Sequence, residues 1–140
     1  MLKAKKAQSG ITLVEMLVVL AIIGLLAGLV GPAVLNQLGG AKTKTAAVQI
    51  KDFEQSLEMF KLDVGRFPTT QEGLKSLVTK PTAVNGWNGP YLKSGLPQDP
   101  WNRDYMYKSP GEKSEVDIYS YGQDGAPGGE GENSDVGNWK

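Results

Sequence analysis

The sequence contains no histidine and no cysteine, and its 15 basic residues are matched by 15 acidic ones. Without these side chains the chain cannot form a Cys/His zinc site, an iron–sulfur cluster, a disulfide, or a Ser-His-Asp or Cys-His catalytic site. A formal net charge of zero argues against a general nucleic-acid-binding protein, whose surface would carry a basic excess. The length of 140 residues is that of one ordinary domain.

The charges are distributed unevenly along the chain. Residues 1–10 carry three lysines and no acid, whereas residues 11–40 carry a single charged side chain, Glu15. Residues 11–30 read ITLVEMLVVLAIIGLLAGLV, and as an α-helix they span about 30 Å, the hydrocarbon thickness of a bilayer. By the positive-inside rule the lysines stay in the cytoplasm, and the chain from about residue 41 faces the periplasm or the exterior.

Three alternatives are open for this apolar segment: a secretory signal peptide, a simple membrane anchor, or a specialised membrane segment. The apolar region of a signal peptide usually has about 7–15 residues and ends in an A-x-A-like site, whereas this one is longer and meets Gly31-Pro32. Placing a carboxylate inside a membrane-spanning helix costs about 2.5–3.5 kcal/mol, so the presence of Glu15 in this segment indicates that it has a functional role. No basic residue follows Glu15 in the segment, so its partner must lie outside this helix or arise by processing.

The residues QSGITLVE, which end at Glu15, resemble the leader junction of type IV pilin-like proteins. The resemblance implies that a prepilin peptidase cleaves between Gly10 and Ile11, that residues 1–10 are the leader, and that the new amine of Ile11 is methylated. The family usually has Phe or Met at this position, so Ile11 departs from the pattern. Glu15 matches the family's fifth-position glutamate, which pairs with the amine of a neighbouring subunit in a filament. Removing one partner of a buried ion pair costs about 3–5 kcal/mol, so Glu15 is expected to set the assembly register.

An amphipathic helix is predicted beyond the apolar segment. Charged residues alternate there with an apolar stripe at helical spacing, formed by Ala46, Ile50, Phe53, Leu57 and Phe60. One helix is therefore expected from about residue 11 to about residue 62, with its second half packed on a globular body. Pro32 removes a helical hydrogen bond and is expected to kink the helix. In filaments of the pilin superfamily the stretch between such a glycine and proline melts, so the resemblance implies that Gly24 to Pro32 is deformable.

The rest of the sequence predicts a body of short elements. Thr69 and Glu72 have the spacing of a capping box at the start of a short helix. Residues 79–103 are rich in Pro, Gly, Asn and Trp and predict a loop. Residues 105–108 and 116–121 predict two strands, joined by an SPG turn, that pair antiparallel over the apolar stripe. The expected fold class is therefore α+β.

Five phrases in the body resemble one branch of the superfamily. They occur in the order RFPTT with a following GL, GPYL, LPQDPW, YSYGQDG and DVGNW. Together they resemble the major pseudopilins, the G subunits, of bacterial type II secretion systems. The resemblance implies a type IV pilin-like fold, in which a long N-terminal helix, hydrophobic and then amphipathic, packs on a small antiparallel β-sheet with a C-terminal calcium-binding loop. It divides the chain into a leader (1–10), a membrane or filament-core helix (11–35) and a periplasmic domain (36–140).

Residues 121–135 read YGQDGAPGGEGENSD and combine glycines with carboxylates. Composition alone leaves open a solvated acidic loop or a Ca²⁺ site, since Ca²⁺ takes about six to eight oxygen ligands. The EF-hand pattern fails, and GGEGEN resembles a single calcium repeat in which Asn133 replaces the acid. The G-subunit resemblance implies Ca²⁺ as the cofactor. Glu130 and Glu132 lie in a stretch that varies in the family and are not carried over. The matching ligand positions are the side chains of Asp124 and Asp135, the carbonyls of Tyr121 and Ala126, and Ser134.

Three functions follow from these patterns. The first is a structural subunit that polymerises into a periplasmic pseudopilus and drives protein export across the outer membrane. The second is a subunit of a surface type IV pilus for adhesion or motility, which usually has the C-terminal cysteine pair that this chain lacks. The third is a membrane-anchored enzyme, but neither GxSxG nor SxxK occurs, so we expect no enzyme.

The pseudopilin resemblance also implies partners and a location. The expected partners are other copies of the chain, minor pseudopilins, the inner-membrane assembly platform and the prepilin peptidase. Before assembly the chain would cross the inner membrane once, with a cytoplasmic N-terminus and a periplasmic body. After assembly it would form the periplasmic pseudopilus.

Overall fold

The computed structural model, which describes Gly10 and residues 12–140, contains one long helix and a small sheet. Helix α1 runs unbroken over 52 residues from Leu13 to Val64. The strands are β1 (Met106–Lys108), β2 (Asp117–Ser120) and β3 (Val136–Gly137), and two 3₁₀-helices lie at Leu74–Leu77 and Gly131–Asn133. The single helix and the small antiparallel sheet confirm the α+β prediction.

The chain forms two compact units, divided between Leu38 and Gly39. In the first unit the described residues from Leu13 onward all belong to α1, and the helix continues through Pro32. The second unit contains the rest of α1 and every other element. The predicted domain boundary between residues 35 and 36 concerns membrane insertion and stays a prediction.

The core of the second unit is built on the apolar stripe of α1. All five residues of the predicted stripe are buried, at 0–2 % exposure, which confirms that prediction. The ring of Tyr105 meets Phe53 edge-on with 5.0 Å between centroids, and Tyr91 meets Phe60 at 5.9 Å. Further buried side chains complete the core, from the first 3₁₀-helix, from β2 and β3 and from the residue just before β2: Leu74, Leu77, Val116, Ile118 and Val136.

The predicted capping box forms, but it closes a turn rather than opening an α-helix. The Glu72 N–H donates to Thr69 Oγ1 at 3.1 Å, and the Thr69 N–H donates to Glu72 Oε1 at 2.9 Å. Gly73 follows with φ of +65°, a left-handed conformation that ends the turn. The chain then continues as the 3₁₀-helix Leu74–Leu77, so the expectation of a helix starting at Thr69 was wrong.

The predicted hairpin is present and antiparallel. Met106 pairs with Tyr119, and Lys108 pairs with Asp117. The buried Asp117 carboxylate accepts three successive backbone N–H groups of the connection, from Glu112, Lys113 and Ser114. This carboxylate therefore fixes the turn from within the connection, and Thr70 Oγ1 holds its first residue by donating to the Ser109 carbonyl and accepting the Ser109 N–H.

The third strand, β3, was not predicted. It pairs antiparallel with β2 through Ser120 and Val136 and is too short to show an alternating pattern in the sequence. Asn138 extends the pairing, because its side-chain oxygen accepts the Ile118 N–H at 3.1 Å and its amide donates to the Val116 carbonyl at 2.8 Å. The residues of the DVGNW phrase thus form the last strand of the sheet and extend its pairing with β2.

Candidate functional site

A threonine side chain caps the N-terminal end of α1. The Glu15 N–H donates to Thr12 Oγ1 at 3.1 Å, and the Met16 N–H donates to the Thr12 carbonyl oxygen at 3.1 Å. Thr12 and Glu15 form a T-x-x-E capping pattern that places a carboxylate in the electropositive first turn. This role of Thr12 was not predicted, although a threonine followed three residues later by Glu15 is a sufficient sequence signal for a helix cap.

The predicted processing site lies just before this cap. Gly10 is exposed and precedes the helix. Ile11, the predicted new N-terminal residue, and leader residues 1–9 lie outside the described residues. Cleavage after Gly10 and methylation of Ile11 therefore stay predictions.

The first half of α1 exposes its apolar side chains. Leu13 is 82 % exposed and Leu29 is 72 % exposed, and the most apolar stretch of the helix has no buried residue. By length and composition α1 can cross a membrane. Apolar surface in water is unfavourable by about 25 cal/mol per Å², so this segment requires cover by lipid or protein.

The segment predicted to deform is helical in this structure. Among the described residues, nothing lies within 4 Å of the position that a β-carbon would take at Gly24, Gly28 or Gly31, so no packing demands glycine there. Glycine in a helix costs about 1 kcal/mol relative to alanine, and Pro32 cannot donate the usual helical hydrogen bond. The segment is therefore a helix of low intrinsic stability, and its melting during assembly stays a prediction.

The C-terminal loop, residues 121–135, is closed by hydrogen bonds between its two ends. The Gln123 N–H donates to the Glu132 carbonyl at 2.9 Å. Both carboxylate oxygens of Asp135 accept the Gly128 N–H, at 3.1 and 3.2 Å. Gly122, with φ of +79°, lies so near the returning chain that a β-carbon there would approach the Glu132 carbonyl oxygen to 2.7 Å.

The predicted calcium ligands are oxygen donors on this loop. Asp124 Oδ1 accepts the Ala126 N–H at 3.1 Å, and Ser134 Oγ donates to the Gly131 carbonyl at 2.8 Å. Carboxylate, carbonyl and hydroxyl oxygens are the donors that Ca²⁺ prefers, so the chemistry of the set fits that ion. Within the described part of the chain, no group of three or more acidic side chains could hold a metal ion. A site here would therefore combine two carboxylates, those of Asp124 and Asp135, with carbonyls such as that of Tyr121.

The remaining acidic residues of the loop lie elsewhere. A β-carbon at Gly39 of α1 would overlap the Glu132 carboxylate, so this side chain lies against the helix. Glu130 is exposed and immediately precedes the second 3₁₀-helix. The four acidic side chains of the loop thus do not gather into one cluster.

A buried aspartate outside the loop anchors its first residues. Asp99, 4 % exposed, accepts the N–H groups of Trp101 and Arg103 on Oδ1, at 3.0 and 2.9 Å. Its Oδ2 accepts the Ser120 hydroxyl at 2.7 Å, and Ser120 Oγ accepts the Gly122 N–H at 3.2 Å. The LPQDPW phrase thus fixes the end of β2, a role that its sequence did not reveal.

Aromatic rings pack beside the loop on the sheet. The Tyr119 ring lies 5.4 Å from that of Tyr121 and 5.6 Å from that of Trp139. Burial raises the pKa of Tyr119, and the neighbouring Tyr121 adds to the rise. Lys113 Nζ lies 4.2 Å from the centroid of the Trp139 ring, a favourable cation–π distance. The residues on both sides of the loop are thus packed on the sheet.

Comparison with known proteins decides the family. Residues 33–139 match the family described as Type II secretion system (T2SS), protein G. The chain belongs to the type II secretion system protein G family. Residues 5–31 also match the prokaryotic N-terminal methylation motif, which includes the predicted processing site.

Members of the protein G family resemble the chain over nearly its whole length. The type II secretion system core protein G of Vibrio cholerae is 45 % identical over 141 residues, covering 99 % of this chain and 96 % of the relative. That of Pseudomonas aeruginosa is 45 % identical over 139 residues, covering 96 % and 97 %. The crystal structure of the major pseudopilin from the type 2 secretion system of enterohaemorrhagic Escherichia coli aligns with a TM-score of 0.63 and 38 % identity, covering 75 % of this chain and 92 % of that one. The expected protein G membership and pilin-like fold are thereby confirmed.

Proposed function

We propose that the chain is a structural subunit that polymerises into the periplasmic pseudopilus of a type II secretion system and drives protein export across the outer membrane. The observation that carries this proposal is the protein G match over residues 33–139. The exposed apolar half of α1 agrees with it, since such a helix is stable in lipid or among the same helices of neighbouring copies. The protein therefore acts by assembly and not by catalysis.

Before assembly, the chain crosses the inner membrane once through the first half of α1. The lysines of residues 1–10 favour a cytoplasmic N-terminus, which puts the body in the periplasm. Prepilin peptidase then cleaves between Gly10 and Ile11, and the new amine is methylated. The match of residues 5–31 to the methylation motif supports this processing.

During assembly, the amine of one subunit pairs with Glu15 of another. The carboxylate is costly in an apolar surrounding unless it is paired, so this contact would select one register between neighbouring helices. Further partners are the minor pseudopilins and the inner-membrane assembly platform. The low intrinsic stability of the segment from Gly24 to Pro32 supports its melting in the filament.

We further propose that the C-terminal loop binds Ca²⁺. Asp124 and Asp135 would hold the ion by their carboxylates, assisted by the carbonyls of Tyr121 and Ala126 and by Ser134. When bound, the ion supplies positive charge between carboxylates on the two ends of the loop. A ligand that binds only the native state stabilises it by mass action, which suits a body without disulfides.

The experiment that tests the main proposal is deletion of the gene in its own bacterium, followed by complementation with the full chain. We expect the deletion to retain exoproteins in the periplasm and to leave surface fibres intact, and complementation to restore export. Exoprotein location is measured in periplasmic and medium fractions, and fibres are counted by electron microscopy. Loss of fibres with intact secretion would contradict the proposal and support the surface-pilus alternative.

A further inference from the structure

One guanidinium lies against the first residues of the C-terminal loop. Arg103 Nη1 donates to the carbonyl oxygens of Gly122 at 2.9 Å and Gln123 at 3.2 Å. These two carbonyls lie between Tyr121 and Asp124, two of the residues proposed above to bind Ca²⁺. A positive group from outside the loop thus holds its backbone between two of the proposed ligands.

Arg103 is itself held in place by a buried group. Its backbone N–H donates to Asp99 Oδ1, while Asp99 Oδ2 accepts the hydroxyl of Ser120 at the end of β2. Asp99 and Ser120 are 4 % and 1 % exposed. A buried polar network whose hydrogen bonds are all made is rigid. The backbone of Arg103 is therefore fixed relative to the first residues of the loop.

The loop also leaves room for the guanidinium after Asp124. A β-carbon at Gly125 would lie 2.7 Å from Arg103 Cζ, and Gly125 has φ of +64°, which glycine adopts most readily. The guanidinium therefore contacts the loop on both sides of Asp124 in the sequence. No other cationic side chain among the described residues hydrogen-bonds to residues 121–125.

We propose that Arg103 is a positioning residue for the calcium site, which holds the loop in its binding conformation before the ion arrives. This inference rests on the calcium binding proposed above. The apparent dissociation constant of a site equals its intrinsic value divided by the fraction of molecules in the binding conformation. Affinity therefore falls when that conformation becomes less populated. Arginine suits the role because its planar guanidinium fixes the directions of the Nη1 N–H bonds that reach the two carbonyls, whereas lysine is a compact charge on a flexible stem.

Charge repulsion alone predicts a change of the opposite sign. A guanidinium near a Ca²⁺ site repels the ion, so removing the charge would strengthen binding. That repulsion would also weaken with added salt, because the Debye length falls from about 10 Å at 0.1 M to about 3 Å at 1 M. The sign of the change in affinity therefore separates positioning from repulsion.

The test measures Ca²⁺ affinity by calorimetry with the full chain in detergent micelles. If the loop without Arg103 is in its binding conformation about a tenth of the time, Arg103→Gln binds about tenfold more weakly. Arg103→Lys, which keeps the charge but not the planar group, is also expected to bind more weakly. Lys80→Gln is the control, because it removes an exposed charge outside the loop and is expected to leave affinity unchanged.

Hydrogen exchange without calcium is the second readout. Arg103→Gln is expected to speed the exchange of the amides of residues 122–126 and to leave residues 46–60 of α1 unchanged. If Arg103→Gln unfolds the body, Arg103→Lys decides: weaker binding with α1 still protected supports positioning, and unchanged affinity overturns it.

The outcomes separate this inference from the calcium proposal. Unchanged or tighter binding by a folded Arg103→Gln chain would overturn the positioning role alone. An equal loss of affinity in Lys80→Gln would also overturn it, because the effect would then not depend on contact with the loop. Absence of binding by the unsubstituted chain would contradict the calcium proposal, and this inference with it.

Discussion

The carboxylate of Glu132 lies against Gly39 of α1, in space that a β-carbon at Gly39 would occupy. Gly39 is buried, whereas its neighbour Gly40 is exposed and has nothing within 4 Å of its β-carbon position among the described residues. The two consecutive glycines thus have different roles. Only at Gly39 does a side chain of the loop fill the space that a β-carbon would take.

Gly39→Ala is expected to displace Glu132 and to cost no more than the low end of the roughly 1–3 kcal/mol typical of overpacking, because the atoms in the way are the end of a flexible side chain. Gly40→Ala is the matched control and should be neutral or stabilising, by up to about 1 kcal/mol from helix propensity. Thermal unfolding of the full chain in detergent micelles, followed by circular dichroism, measures both changes. Adding Glu132→Ala to Gly39→Ala should recover most of the loss. Equal effects of the two alanines would show that the contact with Glu132 does not matter.

Truncating the apolar stripe of α1 should cost much more than truncating the exposed face. Leu57 is fully buried, so Leu57→Ala is expected to destabilise by about 2–5 kcal/mol. Met59, two residues further on, is 55 % exposed, and Met59→Ala removes little packing within the chain. Chemical denaturation of the two variants checks the difference. Similar losses would contradict the assignment of this stripe as the core.

The elements that could be predicted from the sequence are those with local patterns. The stripe from Ala46 to Phe60 repeats at helical spacing, and the first hairpin has strand-forming residues around a turn. Contacts between distant residues carry no such pattern. Asp99 meets a serine 21 positions later, and Arg103 meets a carbonyl 19 positions later. The loop could likewise be located by its composition, but the packing of Glu132 on Gly39 depends on the tertiary fold.

The turn closed by Thr69 and Glu72 should show a defined pH dependence. Arg66 Nη1 lies 2.7 Å from Glu72 Oε1, and this ion-paired hydrogen bond, with the Thr69 N–H, lowers the pKa of Glu72. A lowered folded-state pKa gives stability that is present above the unfolded value, about 4.3, and is lost as pH falls through the folded value. We therefore expect the unsubstituted chain to lose more stability than Glu72→Gln on acidification from neutral pH.

The size of this effect is limited by exposure of the ion pair. The Arg66 side chain is 47 % exposed, so at neutral pH the free energy of unfolding of the unsubstituted chain should exceed that of Glu72→Gln by at most about 1 kcal/mol. Unfolding free energies at several pH values measure it. High salt should reduce the advantage because it screens exposed charges. An advantage of the same size in acid as at neutral pH would contradict the ion-pair explanation.

Replacement of Glu15 should separate processing from assembly. Glu15→Ala is expected to leave leader cleavage largely intact and to reduce filament formation strongly, because the amine of the neighbouring subunit would lose its partner. Gel mobility of the chain reports cleavage, and electron microscopy of overproducing cells reports filaments. Val14→Ala, a neighbouring truncation that keeps the carboxylate, should assemble normally. Normal filaments from Glu15→Ala would contradict the charge pairing.

Removal of calcium should destabilise the body if the C-terminal loop binds it. At a free Ca²⁺ concentration 100 times the dissociation constant, binding stabilises the native state by about 2.7 kcal/mol, and a chelator abolishes this gain. Asp124→Ala and Asp135→Ala should each lower the unfolding temperature in calcium and remove most of its response to the chelator. Glu130→Ala serves as the control, because it removes an exposed carboxylate of the same loop and should leave the response in place. A chelator response that survives both aspartate substitutions would place the ion outside this loop. If the unsubstituted chain shows no response to the chelator, the calcium proposal is contradicted, and the loop is closed by its own hydrogen bonds alone.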